Sequence, residues 1–402
     1  MENDETIEGL GGPRQGIILL LASVMPIMAV ISLVPVLPML LEEFSATPGS
    51  AFLVPIAMTV PALCVALFSP LAGWIADRVG RKRLLVGTLA IYGLAGVLPW
   101  FLTDLFLIIA ARVVLGIMEA AIMTVATVLI GDYFSGERRE SWLSMQVAAG
   151  SVAAIILIAV SGFLGEAFGS RGPFLLYLLA LPIAAIAAVL LFEPAAKSAE
   201  ATSTDSDFPF GTVLPVVAIT VLVGVLFYTL IVQLGPILQL SGDVSPAMIG
   251  IVGAAANLAV AGGSLIFRKM GKPPGMAVLS LGLTVSGAGY LGASLSGYLW
   301  AIAAFAVIIC IGSGILLPNL ITWVMSLLPL RFRGRGTGAW TGAFFLGQFL
   351  APIIATALSL PLAGLGGVLQ LYGVLALGSA VVVLMISKLM AAGPKDMEIS
   401  HD

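Results

Sequence analysis

Residues 73–82 read GWIADRVGRK, a short charged stretch between two long apolar segments. Its two glycines permit close helix packing and a tight turn. Asp77 stands at the end of a helix, where an anion near the membrane requires a cationic or amide partner. Arg81 follows four residues later, and Asp132 ends a later apolar segment. We therefore expect these three side chains to form one charge cluster at a membrane surface.

The composition around this stretch is that of a membrane protein. Of 402 residues, 60% are hydrophobic and only 10% are charged, with a mean hydropathy of +1.13. Soluble domains carry about 25% charged residues, so the chain cannot be one. A spanning helix needs about 20 apolar residues. We predict an all-α membrane protein of twelve transmembrane helices, whose surroundings are the lipid bilayer and which has no nucleic-acid partner.

Apolar runs, broken by charged or Pro/Gly-rich stretches, give the positions of the predicted spans. Spans 1 to 6 are predicted at 16–41, 51–76, 83–102, 105–130, 142–165 and 172–191. Spans 7 to 12 are predicted at 213–239, 247–267, 275–295, 298–328, 337–358 and 365–390.

A single long polar stretch, FEPAAKSAEATSTDSDFPFG, separates the two sets of six spans. Its small, charged and proline residues cannot bury enough surface to fold, which indicates a linker. The predicted parts of the chain are a cytoplasmic tail at 1–15, a six-helix bundle at 16–191, a cytoplasmic linker at 192–212, a second bundle at 213–390 and a cytoplasmic tail at 391–402.

The positive charges predict the orientation, because Lys and Arg accumulate in cytoplasmic loops. With the N-terminus inside, 16 of the 18 Lys and Arg residues are cytoplasmic. Of the other two, Arg171 falls in an outer loop and Arg112 within span 4. An odd number of spans would place half of the charges outside. Both termini are therefore predicted to be cytoplasmic, and the acidic N-terminus argues against a removable signal peptide.

A weak internal repeat relates the two halves. GWIADRVGRK after span 2 aligns with SLIFRKMGKP after span 8 at a constant offset of 191, which matches Gly80 with Gly271 and Arg78 with Lys269. Parallel six-span repeats are typical of transporters that bind substrate between the halves, near the middle of the membrane.

The stretch from Gly73 to Lys82 resembles the loop signature of the major facilitator superfamily, and it falls in the corresponding loop between spans 2 and 3. The resemblance extends over the chain through the span count, the linker and the repeat. It implies two pseudo-symmetric six-helix bundles, alternating access and a monomer in the bacterial inner membrane. It also implies that a charge cluster latches the halves when the protein opens outward. The residues implied in this gate are Gly73, Asp77, Arg78, Gly80, Arg81 and Asp132.

Arg112 and Glu119 are the ionisable residues that the prediction places well inside a span. They are seven residues apart, on one face of span 4 and about 10 Å apart along the axis. A charge at that depth costs at least ~2.5 to 3.5 kcal/mol, so both are expected to face a polar cavity and to be functional. We interpret Glu119 as the proton site, with Arg112 setting its proton affinity. The alternative is a static Arg–Glu pair that positions span 4.

The second half is predicted to line the cavity with uncharged groups. Amides that faced lipid would be left without hydrogen bonds, which favours an interior position for them. Methionines of spans 1 and 4 would form a deformable apolar wall, although core packing is the favoured explanation for them. The cavity candidates are Met25, Met28, Met118, Tyr228, Gln233, Asn257, Asn319, Trp323, Trp340 and Gln348.

Two transport functions remain open from the sequence. The first is proton-coupled efflux of a hydrophobic or amphiphilic small molecule, a drug or a metabolite such as a siderophore, driven by the proton gradient without a cofactor or metal. Members of the superfamily with this function often have an acidic residue in span 1 and Gly-Pro in span 5, and this chain has neither. The alternative is a symporter or facilitator that imports an organic acid, with Arg112 as the carboxylate ligand. An enzyme or receptor is disfavoured, because no nucleophile-base set or metal-ligand cluster is present in the sequence.

Overall fold

The computed structural model describes residues 11–194, 209–271, 275–329 and 332–391. Most of the predicted linker, most of the N-terminal tail and nearly all of the C-terminal tail lie outside these ranges. Within them the chain forms helices joined by short turns.

Spans 1 to 6 occupy the first half. Span 1, Pro13–Glu43, is broken by short 3-10 turns at Met25–Ile27 and Val34–Val36. The others are span 2 (Ser50–Val79), span 3 (Arg81–Val97), span 4 (Leu105–Tyr133), span 5 (Gly136–Phe168) and span 6, which combines a 3-10 segment, Gly169–Leu179, with the helix Ala180–Leu190.

Spans 7 to 12 occupy the second half. Span 7 is Phe210–Val232 and continues as a short helix at Leu234–Leu238. The others are span 8 (Pro246–Lys269), span 9 (Gly275–Ser294), span 10 (Leu299–Ser326), span 11 (Arg333–Ser359) and span 12 (Leu365–Ala391).

Eleven helical stretches of the described chain are long and apolar enough to cross a membrane, and the longest, Gly136–Leu190, has 55 residues. A straight helix of that length would measure about 83 Å, far more than the ~30 Å hydrocarbon core. The stretch turns back at Gly169, where φ is 73°. Gly172 then packs so tightly on span 5 that a Cβ there would lie 2.1 Å from the Leu164 carbonyl oxygen. It therefore makes two crossings, and the predicted fold of twelve spans is confirmed.

Several helices extend beyond the predicted apolar runs. Span 5 begins at Gly136 rather than at 142, and span 11 begins at Arg333 rather than at 337. Both extensions are charged first turns, such as GERRE in span 5. Hydropathy detects the part of a helix inside the hydrocarbon, whereas helical hydrogen bonding continues into the interface.

A repeated tyrosine arrangement relates the two halves. Tyr92 of span 3 donates to the Met25 carbonyl of span 1 at 2.6 Å, and its ring packs on Tyr177 of span 6 at 5.5 Å. Tyr290 of span 9 donates to a carbonyl of span 7, and its ring packs on Tyr372 of span 12 at 5.9 Å. Each half thus joins its first, third and sixth spans in the same way, as a parallel repeat requires.

The halves meet at the end of the molecule opposite Arg81. Gly162 of span 5 and Gly250 of span 8 are in backbone contact, since a Cβ on Gly162 would lie 3.0 Å from the Gly250 Cα. Thr356 of span 11 donates from Oγ1 to the Ala51 carbonyl of span 2 at 3.4 Å. Ala51 lies about 39 Å along span 2 from Asp77. The bundle is therefore closed at this end.

Candidate functional site

The predicted charge cluster is present at the other end of the bundle. Arg81 bonds from Nη2 to Asp77 Oδ1 at 2.9 Å and from Nη1 to Asp132 Oδ2. Asp77 and Arg81 are one helical turn apart in sequence but lie on successive helices, and Asp132 comes from span 4. The arrangement ties spans 2, 3 and 4 together within the first half.

Glu193, which the sequence analysis did not single out, completes this cluster. Its Oε1 accepts from the backbone N–H groups of Arg81 at 2.5 Å and Lys82 at 3.3 Å. The carboxylate therefore caps the N-terminus of span 3, where the helix dipole favours an anion. Gly80 has a φ of 101°, and a Cβ there would lie 2.9 Å from Glu193 Oε2. This close approach and the positive φ explain the glycine.

Two other predicted gate residues lie beside the cluster rather than in it. Arg78 stacks on the Trp74 ring, with its guanidinium carbon 3.5 Å from the centroid. Gly73 brings span 2 close to span 4, since a Cβ there would meet Thr124 at 3.8 Å. Arg78 therefore covers an exposed aromatic ring, and Gly73 serves helix packing.

Arg112 is fully buried and is held by hydrogen bonds. Its Nε donates to the Ala57 carbonyl at 2.9 Å, Nη1 donates to the Tyr177 hydroxyl at 2.7 Å, and Nη2 donates to the carbonyls of Ala29 and, at 3.2 Å, Met58. The guanidinium therefore binds spans 1, 2 and 6 to span 4. It makes no ion pair with Glu119, so the expectation of a static Arg–Glu pair is wrong. Seven residues of helix rise separate the two groups, and nearer acceptors satisfy Arg112.

Prolines and helix breaks supply these acceptors. Pro61 has no N–H, so the Ala57 carbonyl one turn earlier lacks its helical donor. In span 1, Leu33 N–H bonds to Val30, which leaves the Ala29 carbonyl without its usual partner. Both carbonyls accept from Arg112. Arg112 thereby restores backbone hydrogen bonds that would otherwise be lost inside the membrane.

Two other prolines act in the same way. Pro55 frees the Ala51 carbonyl, which accepts from Thr356 across the interface between the halves. Pro318 of span 10 frees the Gly314 carbonyl, which accepts from Ser264 Oγ of span 8 at 3.1 Å. The prolines inside these spans thus mark where one helix bonds to another.

Glu119 is buried, with 4% of its surface exposed, and its Oε2 has no hydrogen-bond partner. It interacts electrostatically with Cys64 of span 2 and Tyr228 of span 7. A buried carboxyl oxygen without a partner is costly in free energy. Protonation would remove the buried charge, and a ligand donor could pair with the free oxygen.

The predicted cavity residues fall into two groups. Met25 and Met28 are buried, and Met118 packs against the core of the first half. Asn257 donates to the Gly253 carbonyl of its own helix at 2.9 Å, and Asn319 donates to the Gly275 carbonyl of span 9 at 3.0 Å. Both amides thus donate to backbone carbonyls. Packing also explains Trp323, whose ring lies 2.8 Å from a Cβ built on Gly275.

The second group has polar atoms that are available in the interior. Gln233 is buried at the break in span 7. Trp340 Nε1 and Gln348 Oε1 of span 11 are buried with no hydrogen-bond partner. Tyr228 packs on Phe344 of span 11 at 5.1 Å between ring centroids. These side chains are the candidates that remain for ligand contact.

A polar cluster of the first half was missed by the sequence analysis. Gln146 Nε2 of span 5 donates to Ser23 Oγ of span 1 at 2.7 Å and to Thr127 Oγ1 of span 4 at 3.1 Å. Thr127 is exposed and lies two helical turns from Glu119 towards the Arg81 cluster. The available signal in the sequence was the position of Thr127. It lies eight residues after Glu119 on the same helix face, with Met123 between them at the fourth residue.

Comparisons with known proteins agree with this geometry. A bacillibactin exporter of Bacillus subtilis is 36% identical over 110 residues, which are 26% of this chain and 27% of that protein. The multi-drug resistance efflux pump PmrA of Streptococcus pneumoniae is 32% identical over 177 residues, 41% of this chain and 42% of the pump. The chain thus spans less than half the length of these curated relatives.

Solved structures share the fold over nearly the whole chain. An inward-facing, occupied bacterial homologue of the human lysosomal transporter Spinster has a TM-score of 0.72 at 18% identity, covering 95% of this chain and 96% of that one. The POT family transporter PepTSo has a TM-score of 0.74 at 12% identity, covering 96% and 99%. Residues 19–352, from span 1 into span 11, match the family model of the Major Facilitator Superfamily. The loop resemblance is therefore confirmed, and the chain belongs to the Major Facilitator Superfamily.

Proposed function

We propose that the chain is a proton-coupled exporter of hydrophobic or amphiphilic small molecules, with the Arg81 end of the bundle cytoplasmic. The observation that carries this proposal is Glu119, a buried carboxyl group with an unpartnered oxygen that faces the other half. A group between two rocking halves meets water on one side and then on the other as the halves alternate. Proton exchange at Glu119 would then couple the gradient to transport.

The packing of the halves supports the same proposal. They are in contact at the end opposite Arg81, whereas Thr127, on the helix face of Glu119, is exposed towards the Arg81 end. Substrate would enter from the cytoplasm in this state. Rocking would transfer the opening to the other face. The efflux activities named for the two curated relatives point in the same direction, although they are matched over partial lengths.

The geometry disfavours import of an organic acid with Arg112 as its ligand. Arg112 is fully buried, and each of its three side-chain nitrogens already donates to an oxygen of the protein. An incoming carboxylate would have to displace the protein oxygens that already accept from the guanidinium. Arg112 is therefore proposed as a positioning residue.

The test uses inverted membrane vesicles, an imposed proton gradient and Hoechst 33342 as the transported probe. Glu119→Gln is expected to abolish gradient-driven accumulation, because the amide cannot carry a proton. Glu166→Gln, which neutralises an exposed carboxylate of span 5, is the matched control and should transport normally. Unchanged accumulation in Glu119→Gln would contradict the proposal. Uptake of an organic acid that survives Glu119→Gln and is lost in Arg112→Ala would favour the importer.

A further inference from the structure

Span 11 presents a line of three large side chains to the interior. Trp340, Phe344 and Gln348 occur at four-residue intervals, so they lie on one helix face that is about 12 Å long. The rings of Trp340 and Phe344 are nearly parallel, with centroids 5.5 Å apart and an interplanar angle of 8°. We call this face, with Tyr228 and Phe227 of span 7, the aromatic wall.

Span 7 joins the wall to the proton site. Phe227 stacks on Phe344 with centroids 6.1 Å apart, and Tyr228 packs on both rings. Close approach of the two helices makes this possible, since a Cβ on Gly347 would lie 2.9 Å from the Gly224 Cα. Tyr228 also interacts electrostatically with Glu119. The wall therefore includes a side chain that is coupled to this carboxyl group.

Two polar atoms of the wall are unpaired. Trp340 Nε1 is a donor only, and Gln348 Oε1 is an acceptor only. Both are buried without a partner, and Gln348 is 4% exposed. Buried groups of this kind are rare in folded proteins because each leaves a desolvated polar atom without a hydrogen bond. A ligand that offers one acceptor and one donor would satisfy both.

The charge around the wall limits the ligand further. In the described parts of spans 7 to 12, charged residues occur in first and last turns, such as Arg268 and Lys388. Glu119, which interacts electrostatically with Tyr228, would repel an anion. Flat π surfaces favour stacking against other flat rings.

We propose that the aromatic wall binds an uncharged planar aromatic molecule of two or three fused rings, which carries a hydrogen-bond acceptor for Trp340 and a donor for Gln348. This assignment rests on the proposed transport function and names its substrate class. The ring system stacks beside Phe344 and Tyr228. The 12 Å face matches the length of such a molecule, and Glu119 remains free to exchange its proton.

The experiment measures equilibrium binding by calorimetry to the purified full chain in lipid nanodiscs, without a proton gradient. The probes are neutral 7-hydroxycoumarin, which has a donor and an acceptor; 7-methylcoumarin, which lacks the donor; and 1-adamantanol, a rounded aliphatic alcohol. We expect 7-hydroxycoumarin to bind about tenfold more tightly than 7-methylcoumarin, the effect of one buried hydrogen bond. 1-Adamantanol should bind more weakly than both.

Variants assign the contacts. Gln348→Met should remove the preference for the hydroxyl group. Trp340→Phe, which keeps an aromatic ring, should weaken the binding of both coumarins about tenfold. Phe344→Leu should weaken the binding of both coumarins and leave the binding of 1-adamantanol unchanged. The matched controls are Trp300→Phe and Gln239→Met, both at exposed positions, and neither should alter binding. Thermal unfolding of each variant verifies that it is folded.

Two results would overturn the assignment. One is binding of 1-adamantanol as tight as that of 7-hydroxycoumarin. The other is an absence of coumarin binding in a protein whose Hoechst 33342 transport still depends on Glu119, which would leave the proposed function standing. Conversely, coumarin binding with the expected variant pattern supports the wall even if Glu119→Gln transports normally.

Discussion

At the scale of single residues, Arg112 shows most directly how the sequence determines contacts between helices. Its charge is buried in the membrane, yet its donors match carbonyls that Pro61 and the break in span 1 leave open. The planar guanidinium can reach several acceptors at once because its donors point in fixed, divergent directions. A lysine ammonium concentrates its three donors on one atom and cannot reach the same set.

We therefore expect Arg112→Lys to destabilise the protein even though the charge is retained. At least one buried carbonyl would lose its donor, at a cost of about 1 to 3 kcal/mol. Thermal unfolding in detergent should show a melting temperature lower by about 1 to 4 °C. Arg83→Lys, at an exposed position beside the charge cluster, is the control and should melt like the parent. A stable Arg112→Lys protein that no longer transports would instead indicate direct contact with substrate.

At the scale of helices, spans 5 and 8 make the tightest contact between the halves. A Cβ on Gly162 would lie 2.6 Å from the Pro246 carbonyl oxygen, and a Cβ on Gly250 would lie 2.8 Å from the Ile158 carbonyl oxygen. A side chain at either glycine would therefore push the two helices apart. Small residues at membrane helix interfaces permit such approach, and larger ones prevent it.

Gly250→Ala is accordingly expected to weaken the closed contact and favour opening at this end. Accessibility of a cysteine placed at Ala247 to a membrane-impermeant maleimide should rise at least several-fold. Gly262→Ala lies on the same span, where a Cβ would meet nothing within 4 Å, and should leave labelling unchanged. Equal labelling of both variants would show that spans 5 and 8 do not hold the bundle closed.

Much of this helical arrangement could be predicted from the sequence, and the parts that could not have physical reasons. Hydropathy located the spans because the membrane requires continuous apolar helices. The spacing of Asp77 and Arg81 predicted their contact. The partners of Arg112 depend on carbonyls freed in other helices, which hydropathy does not reveal. The bond from Asn319 to span 9 could not be predicted either, because the direction of a side chain depends on helix rotation.

The repeated tyrosine arrangement could not be predicted from the sequence either. Tyr92 and Tyr290 are 198 residues apart, whereas the loop repeat has an offset of 191. The two positions correspond in the fold although a fixed offset does not align them. Loops and helix ends change length between the halves, so the repeat is clear in the structure and weak in the sequence.

At the scale of the whole molecule, alternating access requires the closed end to open. Thr356 of span 11 and Ala51 of span 2 bridge the halves there, with 3.4 Å between donor and acceptor. Replacing both residues with cysteine, in a background where Cys64 and Cys310 are alanine, places two thiols across this contact. Oxidation to a disulfide would hold the halves together at the end through which substrate leaves in the proposed export cycle.

We expect oxidation of this pair to stop Hoechst 33342 transport and a reducing agent to restore it. The control pair replaces Glu43 and Ser170, which are in contact at the same end of the bundle but both belong to the first half. Its disulfide should leave transport largely intact, because the first half moves as one body. If both disulfides stopped transport, motion within the first half would be required. If neither did, substrate would have to leave without separation of spans 2 and 11, which contradicts a rocking mechanism for this chain.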